Sequence, residues 1–426
     1  HHFELTQLAQ LSSATSQLQH SKQSTAGCMT RNSELDQTGC FVCQSDEFDQ
    51  ISLNQNLLDA SDFCKVGAKN IGFIYVLTTC KKCGHSEIQT DNPCLLPTRK
   101  YDFIKYGEPI EHYPEVSTIL RALNLDFNDI SIHTFSYKDF QLANFLAKDL
   151  EIFDINLNDH AGCSDDWLPV VSINGSKQHP LRLTEFMAEI ETSKKSHQII
   201  LITRIFDHVA NNDLLKKIFD LISPTRHIVF DLNNYDRLFE LDTLEFIWNE
   251  RRNLLRRSHL ESILERSNLK YSIFAYESHE VSPTLTGVIS EKLMMTPKSN
   301  ATEVAISLAP NLVEKLIKLR QLWQDKLAKT HKLGIIGASH KGISLAQFVL
   351  SDRVQYSLHD DKDALKGKTP PVKPPLGFHL VSGFDFSEYT HIAITTTVVI
   401  AAKIIPKLRA SGYTGEILDF DCQRLD

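Results

Sequence analysis

Two closely spaced cysteine pairs near the start of the chain constrain its fold more than any other sequence feature. They read CFVC at residues 40–43 and CKKC at residues 80–83. A turn of this spacing places two thiolates on one side of a metal ion, and a second turn completes a closed tetrahedral site. The pattern therefore predicts one structural zinc ion with four thiolate ligands, which are Cys40, Cys43, Cys80 and Cys83.

Other interpretations of the cysteines stay open at this point. The four residues could be two unrelated pairs, or one pair could be redox-active. Cys28, Cys64 and Cys94 could stand in as ligands, although they lack the Cys-x-x-Cys spacing. Nine cysteines, an odd number with uneven spacing, argue against a disulfide framework in a chain of 426 residues. Because metal-binding thiols need a reducing compartment, a cytoplasmic protein is expected.

Length and charge restrict the class of protein. A chain of 426 residues is too long for one ordinary core, so two or three domains are expected. The formal net charge of −8 gives no general attraction to nucleic acid or to anionic lipid. No apolar run reaches the length of a membrane span, and the N-terminus lacks the layout of a secretory signal. Neither nucleic acid nor a membrane is therefore an expected partner. His1 and His2 are treated as a tag remnant.

Hydrophobic patterning divides the chain into five predicted segments. Gln, Ser and Thr dominate the first, which predicts a flexible arm. The third and fifth alternate apolar strand-like runs with helical stretches, which favours doubly wound α/β sheets. The fourth is an amphipathic helix with Leu312, Leu316, Leu319 and Trp323 on one face. The predicted boundaries are 1–36 for the arm, 37–100 for the cysteine module, 101–308 for a central domain, 309–330 for the connecting helix and 331–426 for a C-terminal domain.

A glycine turn at the start of the last domain points to anion binding. The sequence LGIIGASHKGISL, residues 333–345, predicts a strand, a tight turn and a helix. Backbone N–H groups and a helix N-terminus at such a turn favour a phosphate, and Lys341 adds a positive charge. Asp360 or Asp361 follows the next predicted strand, where it could hold a ribose hydroxyl. A glycine turn that only permits close packing is the alternative.

The order of these features resembles the sugar-nucleotide C-methyltransferases, which methylate a ring carbon of NDP-4-keto-deoxysugars. The resemblance covers residues 38–426. It rests on the two cysteine pairs, on RIFDHVANND at 204–213, on LDTLEFIWNERRNLLRRSHLESIL at 241–264, and on GASHKGISLAQF followed by LHDDKDALKGKTPP. It implies an α/β protein with an N-terminal zinc-binding module, a central doubly wound sheet of the S-adenosylmethionine (SAM) methyltransferase type and a C-terminal Rossmann-like domain.

The resemblance also implies a set of site residues and ligands. The ligands are structural zinc, SAM, and a nucleotide sugar or related small molecule. The implied residues are His208 and Glu250 for catalysis, Asp154 for the cofactor, and Gly337, Ser339, Lys341 and Asp360 for the substrate.

The sequence departs from the family where methyl transfer takes place. A SAM site needs a glycine turn after the first central strand, because only a bare backbone lets the cofactor approach closely. That stretch here is ISIHTFSYKDFQLANFL, which contains no glycine. The family's Tyr-His-Glu-His segment reads Trp248-Asn249-Glu250-Arg251, and neither Asn nor Arg can replace a histidine base. Near the C-terminus, TTTVVIAAK replaces the family's Trp-Asn followed by an acid.

Three functions are compatible with these residues. The first is SAM-dependent C-methylation of a nucleotide-linked keto-sugar, with a divergent cofactor loop. The second is a non-methylating homologue that binds a nucleotide sugar or serves as a partner subunit in a glycan or natural-product pathway. The third is another enzyme that uses Glu250 or His208 for acid–base chemistry. The missing glycine predicts weak or absent SAM binding.

Overall fold

The computed structural model describes residues within the unit Gly39–Asp426. The predicted arm, Ser339 and Glu250 lie outside the described residues. The described residues are 39–53, 64–65, 75–90, 110–158, 183–208, 212–240, 243–244, 246–247, 253–276, 283–293, 311–327, 332–337, 340–350, 354–360, 368–369, 378–379 and 385–426.

Strands and helices alternate along most of this unit. In chain order the strands are β1 (Phe48–Ser52), β2 (Cys64–Lys65), β3 (Tyr75–Cys80), β4 (Ser86–Thr90), β5 (Ile130–Thr134), β6 (Asp154–Asn156), β7 (His197–Thr203), β8 (Arg226–Asn233), β9 (Asn253–Leu254), β10 (Tyr271–Tyr276), β11 (Thr284–Ile289), β12 (Leu333–Ile336), β13 (Tyr356–His359), β14 (Lys368–Thr369), β15 (Phe378–His379), β16 (His391–Ile394) and β17 (Glu416–Leu418). The α-helices are α1 (Tyr113–Ala122), α2 (Phe140–Asp149), α3 (Leu183–Thr192), α4 (Asn212–Phe219), α5 (Tyr235–Glu240), α6 (Arg257–Arg266), α7 (Leu312–Leu327), α8 (His340–Ser344) and α9 (Val398–Ala410). None of the helices described is long and apolar enough to cross a membrane.

The cysteine module is a four-stranded antiparallel sheet in the order β1-β3-β4-β9. Tyr75 and Leu77, two residues apart on β3, are both buried, as expected for one face of a pleated strand. The fourth strand comes from residues 253–254, which lie within the predicted central domain, and it pairs Leu254 with Ser86. The module's sheet is thus completed by a segment far along the chain.

The central sheet has six strands in the order β10-β11-β8-β7-β5-β6. Strands β6, β5, β7 and β8 are parallel, as the apolar runs predict. Strand β11 was not predicted, and it is antiparallel to both of its neighbours. Alternate residues of β7 enter different cores: Ile199 packs with α1 and α2, while Ile200 packs with α3 and α4. Helices therefore cover both faces, which is the predicted doubly wound arrangement.

The C-terminal sheet has five parallel strands in the order β15-β13-β12-β16-β17. Its first strand in sequence, β12, lies in the centre, with the second and third strands on one side and the fourth and fifth on the other. The direction of chain crossover reverses between β12 and β16. In open α/β sheets, ligands bind at the carboxyl ends of strands at such a point.

Helix α7 packs between the cysteine module and the C-terminal sheet. Its four predicted apolar residues are buried in one core with residues of β3 and β12, which confirms the predicted amphipathic helix. The Asn311 side chain caps the helix by accepting a hydrogen bond from the Val313 N–H at 3.0 Å. The Trp323 indole donates a hydrogen bond to the Phe420 carbonyl oxygen at 3.0 Å. These contacts fix the helix at both ends.

Candidate metal centre and the carboxyl edges of the two sheets

The four predicted cysteines form one cluster. Their Sγ atoms all lie within 4.8 Å of one another. Cys40 Sγ is 3.5 Å from Cys83 Sγ, and Cys43 Sγ is 3.5 Å from Cys80 Sγ. These separations are too long for disulfides, and all four cysteines are free. Tetrahedral zinc with Zn–S bonds of about 2.3 Å would place its sulfurs about 3.8 Å apart. The cluster therefore fits a tetrahedral metal ion.

Both cysteine turns have the same backbone hydrogen bonds. In the first turn, residues 40–45, the Gln44 N–H donates to the Cys40 carbonyl oxygen and the Cys40 N–H donates to the Ser45 carbonyl oxygen. In the second turn, residues 80–85, Gly84 and His85 occupy the equivalent positions. The residue after the second cysteine is left-handed in each, with φ of 61° at Gln44 and 70° at Gly84. Two equivalent turns thus present four sulfurs to a common point.

A buried histidine adjoins the sulfur cluster. His85 Nδ1 is 3.8 Å from Cys40 Sγ and 3.4 Å from a Glu87 carboxylate oxygen. The hydrogen bond between the Cys40 and Cys83 thiols lowers the pKa of Cys40 to about 3, whereas burial raises the pKa of Cys80 to about 11. Thiols must lose their protons to bind zinc, so metal binding here would release protons.

In the central sheet, the buried carboxylate of Asp139 lies in the loop after β5, where a SAM-binding protein needs its glycine turn. One Asp139 oxygen accepts hydrogen bonds from the N–H groups of Phe135 and Ser136, at 2.8 and 2.7 Å. The other accepts from the Thr203 N–H at 2.6 Å and from the Thr203 hydroxyl. Burial raises the pKa of Asp139 to about 7, although these donors oppose the shift. Asp139 thereby joins the carboxyl ends of β5 and β7 and uses the backbone donors that follow β5.

The three predicted site residues of the central domain have different outcomes. Asp154 is the first residue of β6 and pairs with Ser131, so it lies within the strand and not after it. Sequence reasoning misplaced it because the apolar run LEIFDI begins before the paired strand. His208 ends a 3₁₀ turn, residues 206–208, that follows β7 at the carboxyl edge. Glu250 lies outside the described residues. The catalytic and cofactor roles of these residues stay predictions.

A buried charged network at the same edge was not predicted. Arg204 directly follows β7 with a left-handed φ of 56°. Its N–H donates to an Asp231 oxygen at 2.9 Å, and its guanidinium donates to the Asn233 side chain at 2.8 Å. His112 Nε2 lies 3.4 Å from the other Asp231 oxygen. Burial alone would raise the pKa of Asp231, but the charges of Arg204 and His112 lower it. Arg204 thus combines a left-handed backbone with a buried ion pair to Asp231.

A second buried network has the connectivity of a catalytic triad. The Ser131 hydroxyl lies 2.9 Å from His133 Nε2, and His133 Nδ1 lies 2.8 Å from a Glu189 oxygen. Ser131 also contacts the Ser193 hydroxyl at 2.9 Å and is fully buried as the second residue of β5. The network links β5 to Glu189 of α3 and to Ser193, so it holds α3 against the sheet. A nucleophile needs access to its substrate, and the buried Ser131 hydroxyl lacks that access.

The C-terminal glycine turn is packed tightly at its two described glycines. Gly337 has φ of 98°, and its N–H donates to the His359 carbonyl oxygen at 2.9 Å. A Cβ at Gly337 would come within 2.6 Å of Thr396 Cγ2. A Cβ at Gly342 would come within 2.4 Å of the Gly337 carbonyl oxygen. Close packing therefore explains both glycines, which supports the alternative interpretation for this pair.

The predicted charged residues nevertheless lie at the expected edge. Lys341 is half-buried in the first turn of α8, and Asp360 follows β13 directly. Because β12 lies between β13 and β16, Asp360 and Thr395 flank Gly337 at the carboxyl ends of adjacent strands. The Thr395 hydroxyl donates to the Gly337 carbonyl oxygen at 2.9 Å. Ser339 lies outside the described residues.

Comparisons with known proteins give only remote likenesses. No family model matches the chain, and no curated protein is similar to it in sequence. Among solved structures, the chain is similar to the methyltransferase domain of bacterial CtHen1-CN, with 12% identity, a TM-score of 0.27, and coverage of 42% of this chain and 97% of that one. The methyltransferase domain of bacterial CtHen1-C gives 12% identity, a TM-score of 0.26, and coverage of 42% and 96%. Likenesses at these TM-scores carry no argument about activity.

Proposed function

We propose that this chain is a non-methylating, zinc-stabilised homologue of the nucleotide-sugar C-methyltransferases. It keeps the metal centre and the C-terminal sheet, and it does not bind SAM between β5 and β7. In this proposal it binds a nucleotide sugar or a related phosphate-bearing small molecule, alone or as a subunit of a larger pathway assembly.

The observation that carries this proposal is the position of Asp139. A cofactor that approaches the end of β5 needs the backbone donors there, as phosphate and nucleotide sites generally do. The N–H groups of Phe135 and Ser136 already donate to Asp139. SAM binding in that position would break these hydrogen bonds and bring a carboxylate toward the cofactor's own carboxylate.

The C-terminal sheet is the proposed ligand site. Its strand order reverses between β12 and β16, and the Gly337 turn lies at that point. In the proposal Lys341 contacts a phosphate and Asp360 holds a ribose hydroxyl, as in other doubly wound nucleotide sites. The Gly337 N–H already donates to the His359 carbonyl oxygen, so in the proposal the phosphate depends on Lys341 more than on that N–H.

Calorimetric titration of the metal-loaded protein tests the proposal. The ligands are SAM, nucleoside diphosphates and nucleotide sugars. We expect no saturable SAM binding and saturable binding of at least one nucleotide or nucleotide sugar. Lys341→Ala should weaken that binding by about 1.5–3 kcal/mol, the usual contribution of a charge-assisted hydrogen bond. Lys403→Ala is the matched control, because Lys403 is exposed on α9 beyond its first turn.

Two results would overturn the proposal separately. Stoichiometric SAM binding by the wild-type protein would restore the methyltransferase interpretation. If no nucleotide or nucleotide sugar binds, or if both lysine variants weaken binding equally, the C-terminal sheet is not the ligand site.

A further inference from the structure

One helix contacts both cysteine turns. His259, in the first turn of α6, has its Nε2 atom 2.9 Å from the Cys83 carbonyl oxygen. Arg266, the last residue of α6, donates from its guanidinium to the Phe41 carbonyl oxygen at 2.8 Å. Phe41 lies between the two ligands of the first turn, and Cys83 is a ligand of the second. The helix thus contacts the backbone of each turn through a different end.

The hydrogen bonds of His259 define its tautomer. Its Nδ1 atom accepts the Arg256 N–H at 3.3 Å, and a backbone N–H can only donate. The proton therefore sits on Nε2, which donates to the Cys83 carbonyl oxygen. The ring is fully buried. A buried donor with one specific acceptor holds that acceptor in place, because separating them would leave both unpaired.

Packing joins the same segment to the cluster. Leu255, Leu260 and Ile263 belong to the hydrophobic core that contains Cys40 and Cys80. The preceding strand, β9, pairs with β4, the strand that leaves the second cysteine turn. Residues 253–266 therefore contact the metal-binding turns through a strand edge, an apolar face and two side-chain hydrogen bonds.

We propose that His259 and Arg266 are positioning residues for the metal centre, which hold the two cysteine turns at the separation that a single ion requires. The inference rests on the proposed metal site. Because a ligand that binds only the ordered state stabilises it, metal binding in turn stabilises α6. The proposal links the metal centre to the helix that packs on the central sheet.

Metal release from purified full-length variants is the first test. The rate of transfer of zinc to a chromogenic chelator would be measured for His259→Leu, His259→Gln, Arg266→Met and Arg257→Met. Each lost hydrogen bond should speed release about two- to tenfold, from the usual net contribution of such a bond. His259→Gln keeps a side-chain N–H donor and should release metal nearly as slowly as the wild type. Arg257→Met is the matched control, because the Arg257 side chain pairs with Glu261 on the same helix.

Cobalt substitution and hydrogen exchange are the second test. All variants should keep the cobalt–thiolate absorption of four sulfur ligands, because no ligand is removed. Removing metal from the wild-type protein should speed exchange in residues 257–266, and His259→Leu should reduce that difference.

The outcomes separate this proposal from the proposed metal site. If the wild-type protein binds neither zinc nor cobalt, the proposed metal site is wrong. If the wild type binds metal but His259→Leu and Arg266→Met release it at the wild-type rate, the positioning role is wrong. It is also wrong if Arg257→Met speeds release equally, since the effect would then be general destabilisation.

Discussion

At the scale of single residues, Asp139 accepts the hydrogen bonds of backbone donors at the carboxyl edge of the central sheet. Its two oxygens accept hydrogen bonds from three backbone N–H groups and a hydroxyl at the carboxyl ends of β5 and β7. A ligand-binding loop leaves such donors for the ligand, whereas here they stabilise the protein. The same residue therefore engages the backbone donors that a cofactor at the end of β5 would need.

Replacing Asp139 should destabilise the protein strongly. Asp139→Ala leaves buried N–H groups without acceptors, and we expect a loss of about 3 kcal/mol in the free energy of unfolding. Asp139→Asn keeps one acceptor oxygen and should lose less. Urea unfolding followed by circular dichroism measures both. Equal stability of Asp139→Ala and the wild type would contradict the role assigned to this carboxylate.

A histidine pair at the amino edge should make stability depend on pH. His227 Nε2 is 3.4 Å from His197 Nδ1, and Lys292 Nζ is 3.4 Å from His197 Nε2. Burial, followed by the charges of His197 and Lys292, lowers the pKa of His227 to about 4. A histidine whose folded pKa is depressed stabilises the fold fully above its unfolded pKa, and this contribution is lost as pH falls toward the folded value.

From pH 7 to pH 5 the His227 contribution should fall by about 2 kcal/mol. His227→Gln removes the titration and keeps a partner for the Ser290 hydroxyl, which lies 2.8 Å from His227 Nδ1. Unfolding free energies of both proteins at several pH values give the difference in slope. Parallel curves would show that His227 titrates normally.

Individual side chains differ in how far the sequence reveals them. The four cysteines could be predicted, because a metal site made from two local turns has a local spacing. Asp139 and Arg204 could not, because their partners Thr203 and Asp231 come from other strands. Which strands are neighbours depends on the sheet order, and no local pattern encodes that order.

At the scale of elements, the glycine turn after β12 shows what a close approach requires. Gly337 combines a left-handed φ with a neighbour 2.6 Å from its missing Cβ. Gly412, which follows α9, has φ of 88° but nothing within 4 Å of that position. The two glycines separate the cost of backbone conformation from the cost of crowding.

Alanine at these two positions should therefore differ in effect. Gly412→Ala bears only the conformational cost, about 1 kcal/mol. Gly337→Ala adds a clash with Thr396, and we expect a total of about 2–4 kcal/mol. Thermal unfolding of both variants gives the comparison. Equal losses would mean that Thr396 moves away at no cost.

Long apolar runs and amphipathic helices could be predicted from the sequence, and short or mixed elements could not. Strands β5, β7 and β8 and helix α7 follow their hydrophobic patterns. Strand β9 has two residues, too few for a pattern. Strand β11 reads TLTGVI, and its threonines and glycine hide the fact that it is buried throughout. Its antiparallel direction depends on its pairing with β8 and β10, and no local sequence pattern encodes that pairing.

At the scale of the whole molecule, the cysteine module is not an independent domain. One side of it shares a hydrophobic core with the central sheet, and the other shares a core with α7 and the C-terminal sheet. The short strand β2 also pairs with β14 of the C-terminal region. The sequence predicts that metal loss unfolds the N-terminal module, and these shared cores extend the expected effect to the central and C-terminal sheets.

Chelation of the metal should therefore lower the thermal stability of residues 39–426 as one unit. Metal binding supplies folding free energy in small metal-stabilised modules, and here that energy is shared through two cores. Calorimetry with and without chelator should show one transition that shifts to lower temperature. A control titration of calcium into chelator-treated protein should not restore it, because calcium prefers oxygen ligands. Two transitions, one of them insensitive to chelator, would contradict this expectation.

The contacts of α6 have a consequence for how the chain is made. His259 lies 176 residues after Cys83, and Arg266 lies 225 residues after Phe41. A ribosome completes domains in order from the N-terminus, adding about 5–20 residues per second. The four thiols therefore leave the ribosome many seconds before α6, the helix that contacts both cysteine turns. During that interval the nascent cysteine turns have neither β9 nor α6 beside them. For the proposed metal site, this order predicts that the ion must reach the four thiols before an oxidant does.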